Sequence, residues 1–262
     1  MILNLSNTFT EILNVSKSKN KYFINSKFNY EKGLDYISDN EKYVKELIEF
    51  IKENVKERIN NIYFIMQNDE IIIRNMDNIN PKKKKDTIPL IKYEINKYMP
   101  IDLQNYIIKY KKIKDFDNKE YIQSILFPKK FVHICNEISK ELGIKKSYLH
   151  VNFDILQKLI NINLISLEQN KSVIIENRLE DMIVNRICNN TIVESYIVNK
   201  QNDIDFTKSL DKESIYYYGI EDEYIKELDI KKINIKKKIG LIANGDKISE
   251  IDNYINIWGM IS

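Results

Sequence analysis

Glu94 is the carboxylate to weigh first. It sits in IKYEINKYMPIDL (91–103), where Ile91, Ile95 and Tyr98 recur at helical spacing and Met99-Pro100 ends the run. General acid–base work needs a second group within hydrogen-bond reach, and the neighbourhood offers only Lys97. Glu94 therefore reads as a structural residue near a helix end, with contact to a bound peptide as the sharper alternative. His133 falls on a helix and His150 in a strand, and no cysteine or carboxylate spacing joins them into a metal site. Cys135 and Cys188 form no CxxC pair, and Cys135 lies on an apolar stripe where a thiol packs as a small hydrophobe. Tyr216-Tyr217-Tyr218 could stack on bases, but fits better as a strand of alternating burial. These residue types assign neither a catalytic group nor a metal ligand.

Composition narrows the function classes further. With 262 residues and 43% hydrophobic content the chain can bury one large core or two moderate ones. A net charge of +3 does not call for a nucleic-acid partner. The runs Lys82–Lys85 and Lys236–Lys238 read as solvated loops, with weak attraction to an anionic membrane surface as the alternative. Isolated cysteines suit a reducing compartment. No leader is visible at MILNLSNTFTE, and no apolar run approaches the roughly 18–20 residues that span a bilayer. The expectation is a cytoplasmic protein. Only six glycines are present, which constrains any phosphate-cradling turn.

The elements that must position these residues come in a duplicated frame. ILNLS, FTEILNV and KYFINSKF read as three strands within residues 1–30, and SVIIE, DMIVNRI and TIVESYIV repeat the layout over 171–199. Between them lie a helix over 41–55, a strand pair in IYFIMQNDEIIIR (62–74), the 91–103 segment and a strand–helix–strand unit over 121–151. In that unit Phe131, Ile134, Cys135, Ile138 and Leu142 form the stripe, and Gly143 stands at the C-terminal cap.

In order and spacing, residues 60–160 resemble the PilM family of type IV pilus assembly proteins, actin-like relatives of FtsA. The Arg74-bearing strand, the Tyr98-Met99-Pro100 elbow and the following unit carry the match. The resemblance implies a duplicated α/β actin-like fold with an inserted α/β subdomain and a reduced second half. Residues 1–70 and 149–170 would form the first subdomain, 71–148 the insertion and 171–262 the second half. It also implies a scaffold of pilus assembly, recruited to the inner face of the membrane through the cytoplasmic tail of a PilN-like membrane protein, with a motor ATPase as a possible further partner. The tail would lie in a groove between the first and inserted subdomains. Ile71, Ile73 and Arg74 of the strand, Glu94, and the elbow residues Tyr98, Pro100, Ile101 and Leu103 are the candidate contacts.

Actin-like ATPases hold phosphate on D-x-G turns. The matching turns here carry Asn4 and Ser6 in the first loop and Glu176 and Asn177, without glycine, in the second. The adenosine turn retains one glycine, Gly219, and residues 199–213 leave little chain for the second lobe. These losses argue against ATP as a cofactor and against an enzyme. The alternatives are an actin-superfamily ATPase or kinase, or a related component of a secretion or DNA-uptake system.

Overall fold

The computed structural model describes residues 1–19, 21–36, 40–77, 79, 84–114, 119–200, 214–228, 230–235, 240–243, 255 and 259. Lys82, Lys83, Lys236 to Lys238 and residues 201–213 lie outside the described residues.

Strands β1 (Ile2–Leu5), β2 (Thr10–Ser18) and β3 (Lys21–Tyr30) form an antiparallel meander, followed by helix α1 (Asn40–Asn54) and strand β4 (Asn61–Met66). Next come β5 (Ile72–Met76), α2 (Thr87–Tyr98), β6 (Tyr106–Lys114), β7 (Glu120–Pro128), α3 (Lys129–Glu141), β8 (Lys146–Val151) and α4 (Asn152–Asn161). The second meander is β9 (Lys171–Asn177), β10 (Asp181–Cys188) and β11 (Thr191–Asn199). It is followed by β12 (Ser214–Gly219), α5 (Glu223–Glu227), β13 (Lys231–Lys232) and β14 (Gly240–Ala243).

The duplication is visible in the strand order. The first sheet runs β14-β3-β2-β1-β4-β8 and the second β11-β10-β9-β12-β13. In each, the meander's first strand pairs in parallel with the strand that follows: β1 with β4, and β9 with β12. Both meanders carry a register shift in their middle strand, at Asn14/Val15 and at Arg186/Ile187. The β10–β11 turn places Asn189 and Asn190 at φ 47° and 60°, the left-handed region that asparagine tolerates in tight hairpins.

Two sequence expectations change. The strands read as a pair over 62–74 belong to different sheets: β4 lies between β1 and β8, whereas β5 is an edge of the three-stranded sheet β5-β7-β6. Tyr216, Tyr217 and Tyr218 do not alternate in exposure, because β12 is covered on both faces. Tyr216 and Tyr218 enter the main core and Tyr217 a second cluster with Val173, Ile175 and Val184. No base-stacking surface is left there.

The inserted sheet has its own small core, Ile91, Ile95, Leu103, Ile122 and Leu126, formed with the buried stripe of α2. Helix α3 does not join it. Phe131, Ile134, Cys135 and Ile138 pack into the main core with Leu47 and Ile51 of α1, each burial contributing roughly 1.5–3 kcal/mol. Gly143, at φ 67°, closes the helix with its N–H donating to the Lys140 carbonyl. At the other end of the chain, β14 adds to β3 and Ile255 is buried in the main core. Helix α3 thus packs into the main core beside α1, and β14 extends the first sheet.

Candidate functional site

The turns after β1 and β9 stand at corresponding places in the two halves, and a hydrogen bond from Asn152 to Glu176 joins the halves beside them. The turn after β1 is bonded to itself and to its neighbours. Ser6 N–H donates to the Phe9 carbonyl at 3.1 Å, Phe9 N–H donates to Ser6 Oγ at 3.2 Å, and Ser6 Oγ donates back to the Phe9 carbonyl at 2.8 Å. The N–H groups of Leu34 and Asp35 take the carbonyls of Ser6 and Asn7 at 2.8 and 2.9 Å. The turn after β9 repeats the first bond, with Arg178 N–H donating to the Asp181 carbonyl at 3.0 Å. Arg178 thus stands where the first half has Ser6.

That arginine is the centre of a buried cluster. Its side chain is 4% exposed, with Nε donating to Glu176 Oε1 at 3.1 Å and Nη1 lying 3.8 Å from Asp181 Oδ1. Glu176 Oε2 also accepts from the Tyr218 hydroxyl at 2.6 Å and from Asn152 Nδ2 at 2.7 Å. Asn152 begins α4, in the first half, so this carboxylate ties strand β9 to the other half of the fold. Burial works against the Arg178 charge, and Glu176 and Asp181 more than offset it, so its pKa is raised. Burial raises the Asp181 carboxyl, with Arg178 pulling it the other way. Burial, then Glu176, pushes the Tyr218 hydroxyl well above its ordinary value. Gly219 lies opposite Asn177 in the ladder, and Ile220 N–H donates to the Asn177 carbonyl at 2.9 Å. Among the described residues no group of three or more His, Cys, Asp or Glu is arranged to hold a metal ion.

In and around the insertion, the eight residues singled out from sequence do not form one surface. Ile71 is buried in the main core and Leu103 in the insertion's core. Ile73 packs against the main core and Pro100 is exposed. Arg74, Glu94 and Tyr98 line a cleft of about 400 Å³ between α2 and the edge strand β5. Ile101 lines a different groove, of about 700 Å³. The two share no lining residue. Between them the chain turns at the elbow: Met99 is extended at φ −134°, ψ 114°, as a residue before proline prefers, and Asp102 caps the one-turn helix Leu103–Asn105 by accepting from Gln104 N–H at 3.0 Å. Glu94 does not bond the helix-end backbone as expected. It accepts from Lys97 Nζ at 2.7 Å.

The groove has one wall from the insertion, Ile101, Gln104 and Tyr106, and the other from Glu70 and the start of α3, Lys130 and His133. His133, read from sequence as an ordinary helical histidine, is exposed there. Tyr106, Lys130 and His133 were missed because the walls come from three separated stretches. Only the apolar-stripe phase of α3, which turns His133 away from the core, could have pointed to one of them.

Comparison with known proteins gives a likeness of fold. No family model matches the chain, and no curated protein matches it. Among solved structures it is similar to the PilM–PilN type IV pilus biogenesis complex, at 10% identity and TM-score 0.64 over 99% of this chain and 96% of that one. It is also similar to the cytoplasmic domain of EpsL, an inner membrane component of the type II secretion system of Vibrio cholerae, at 8% identity and TM-score 0.59 over 100% and 94%. A protein of unknown function with an actin-like ATPase fold from Bacteroides thetaiotaomicron matches at 11% identity and TM-score 0.51 over 99% and 94%. The chain has the actin-like fold, with the duplicated sheets and the inserted three-stranded subdomain described above.

Proposed function

We propose that this chain is a nucleotide-independent scaffold of a pilus-type or secretion-type assembly, holding the cytoplasmic tail of a PilN-like membrane protein in the groove between the insertion and α3. The observation that carries the reading is the groove itself, open along the seam of two packing units and lined by apolar Ile101 and Tyr106 beside Lys130 and His133. An extended segment can lay side chains into such a seam while its backbone finds polar partners on the walls. The likeness in fold to the PilM–PilN complex supports it. No helix of the described residues is long and apolar enough to cross a membrane.

The turns after β1 and β9 support the nucleotide-independent part. Magnesium–nucleotide binding needs free backbone N–H groups and a carboxylate open to the metal's water. Here the N–H groups of Ser6, Phe9 and Arg178 are already bonded within the turns. Glu176 is taken by Arg178, Tyr218 and Asn152. The guanidinium supplies the positive charge that a metal would otherwise bring. These residues do not fit the group, so an ATPase or kinase reading is the weaker one. A motor ATPase remains a proposed further partner on the resemblance alone.

Ile101→Asp tests the groove. A synthetic peptide of the cytoplasmic tail of a PilN-like membrane protein, titrated into the full chain, should bind the variant at least about tenfold more weakly, the loss of one well-packed apolar contact and the burial of a charge. An unchanged affinity in a variant that melts like the parent would contradict the assignment.

A further inference from the structure

The cleft between α2 and β5 is not used by the reading above, and its chemistry is specific. Its floor is apolar and adaptable, built from Met76, Ile79, Ile95 and Met99. Its volume of about 400 Å³ suits one or two side chains, near the lower end of the roughly 300–1,000 Å³ of small-ligand sites. Tyr98 stands at its rim, 80% exposed, in a place where a large apolar ring gains nothing from the fold. Arg74 stands on β5 between Ile72 and Met76, side chains that pack in the insertion's core.

Among the described residues lining the cleft, the carboxylates are paired. Asp77 pairs with Lys119 at 3.0 Å, and that lysine holds the Asp77 carboxyl below the usual carboxylate range. Glu94 pairs with Lys97 at 2.7 Å, and the same ammonium lies 4.5 Å from the centre of the Tyr93 ring. Arg74 is exposed and has no ion-pair partner among the described residues. An arginine left over beside an exposed tyrosine and a methionine floor has the composition of a protein-binding hot spot.

We propose that this cleft binds a peptide segment of a protein partner in which an apolar side chain lies next to a carboxylate. The apolar side chain fills the floor between Met76 and Met99, and the carboxylate takes the Arg74 guanidinium, whose planar fork accommodates both oxygens. The site is separate from the tail groove, on the opposite side of the Met99-Pro100 elbow, so the chain can hold two segments at once.

The test uses hexapeptides selected from a random phage-displayed library on the full chain, then made synthetically with a fluorescent label. They should carry an apolar residue adjacent to Asp or Glu. Arg74→Glu and Tyr98→Ala should each weaken them about tenfold or more, a charge-assisted contact being worth at least that factor. Arg74→Lys should fall between, and Ile101→Asp should leave them unchanged. Both altered side chains are exposed, so the fold is not at stake, and melting curves check it. Selection of no peptide, of peptides without an acidic residue, or of peptides that Arg74→Glu binds equally well would overturn the proposal. Loss on Ile101→Asp alone would place the peptides in the tail groove and overturn it too.

Discussion

Glu176→Ala should destabilise the protein by about 3–5 kcal/mol, the usual cost of removing one partner from a buried ion pair. The carboxylate accepts from Arg178, Tyr218 and Asn152, so its loss leaves three buried donors short of their acceptor and Arg178 with only Asp181, at 3.8 Å. For a chain of this size that corresponds to a fall in melting temperature on the order of 10 °C. The double variant Glu176→Leu with Arg178→Met should recover much of the loss, because an apolar pair of similar volume removes the uncompensated charge. Thermal and denaturant unfolding of the two variants decide the matter. A loss below about 1 kcal/mol in Glu176→Ala would mean that the cluster is solvated and does not tie the halves together.

Gly219→Ala should be nearly as damaging, by about 3 kcal/mol or more, from left-handed backbone strain and from overpacking together. Gly219 has φ +95°, and a Cβ built there would stand 2.2 Å from the Asn177 carbonyl oxygen. The neighbouring bonds hold that oxygen in place: Ile220 N–H donates to it at 2.9 Å and Asn177 Nδ2 donates to the Ile220 carbonyl at 2.6 Å. The glycine at the turn expected to receive a nucleotide is thus spent on closing β9 against β12. Gly143→Ala is the control. Its φ is +67° but a Cβ there meets nothing within 4 Å, so only the backbone term applies, about 1 kcal/mol. Equal losses at the two positions would show that the contact with Asn177 yields.

Much of the frame was legible in the sequence because its signals are local. Both meanders follow from short β-branched runs separated by asparagine and lysine turns, and the α3 stripe with its glycine cap is readable without any partner. The actin-like fold followed from the order of these units and its resemblance to PilM-like proteins. The site was less legible for three physical reasons. Apolar side chains look alike whether they line a groove or fill a core, so Ile71 and Leu103 could not be told from Ile101. Tyr98 keeps helical spacing with Ile91 and Ile95 but is the last residue of the helix, where the chain leaves the core and exposes it. Arg178 stands in a polar turn with both partners, Glu176 and Asp181, close in sequence, but nothing local shows that the pair is buried, because the groups that close over Glu176 are Tyr218 of β12 and Asn152 of α4. The pairing of β5 with β7 rather than with β4 is likewise a non-local outcome.

A calorimetric titration of the tail peptide into the full chain, in the absence and then the presence of saturating ATP–Mg²⁺, separates a nucleotide-independent scaffold from a nucleotide-gated one. Saturable peptide binding with the same affinity is expected in both, with no heat of binding or rise in melting temperature from ATP–Mg²⁺ alone, since a ligand of the native state must stabilise it. Tight ATP–Mg²⁺ binding, or peptide binding that appears only with nucleotide, would contradict the nucleotide-independent scaffold and return the turns after β1 and β9 to nucleotide chemistry.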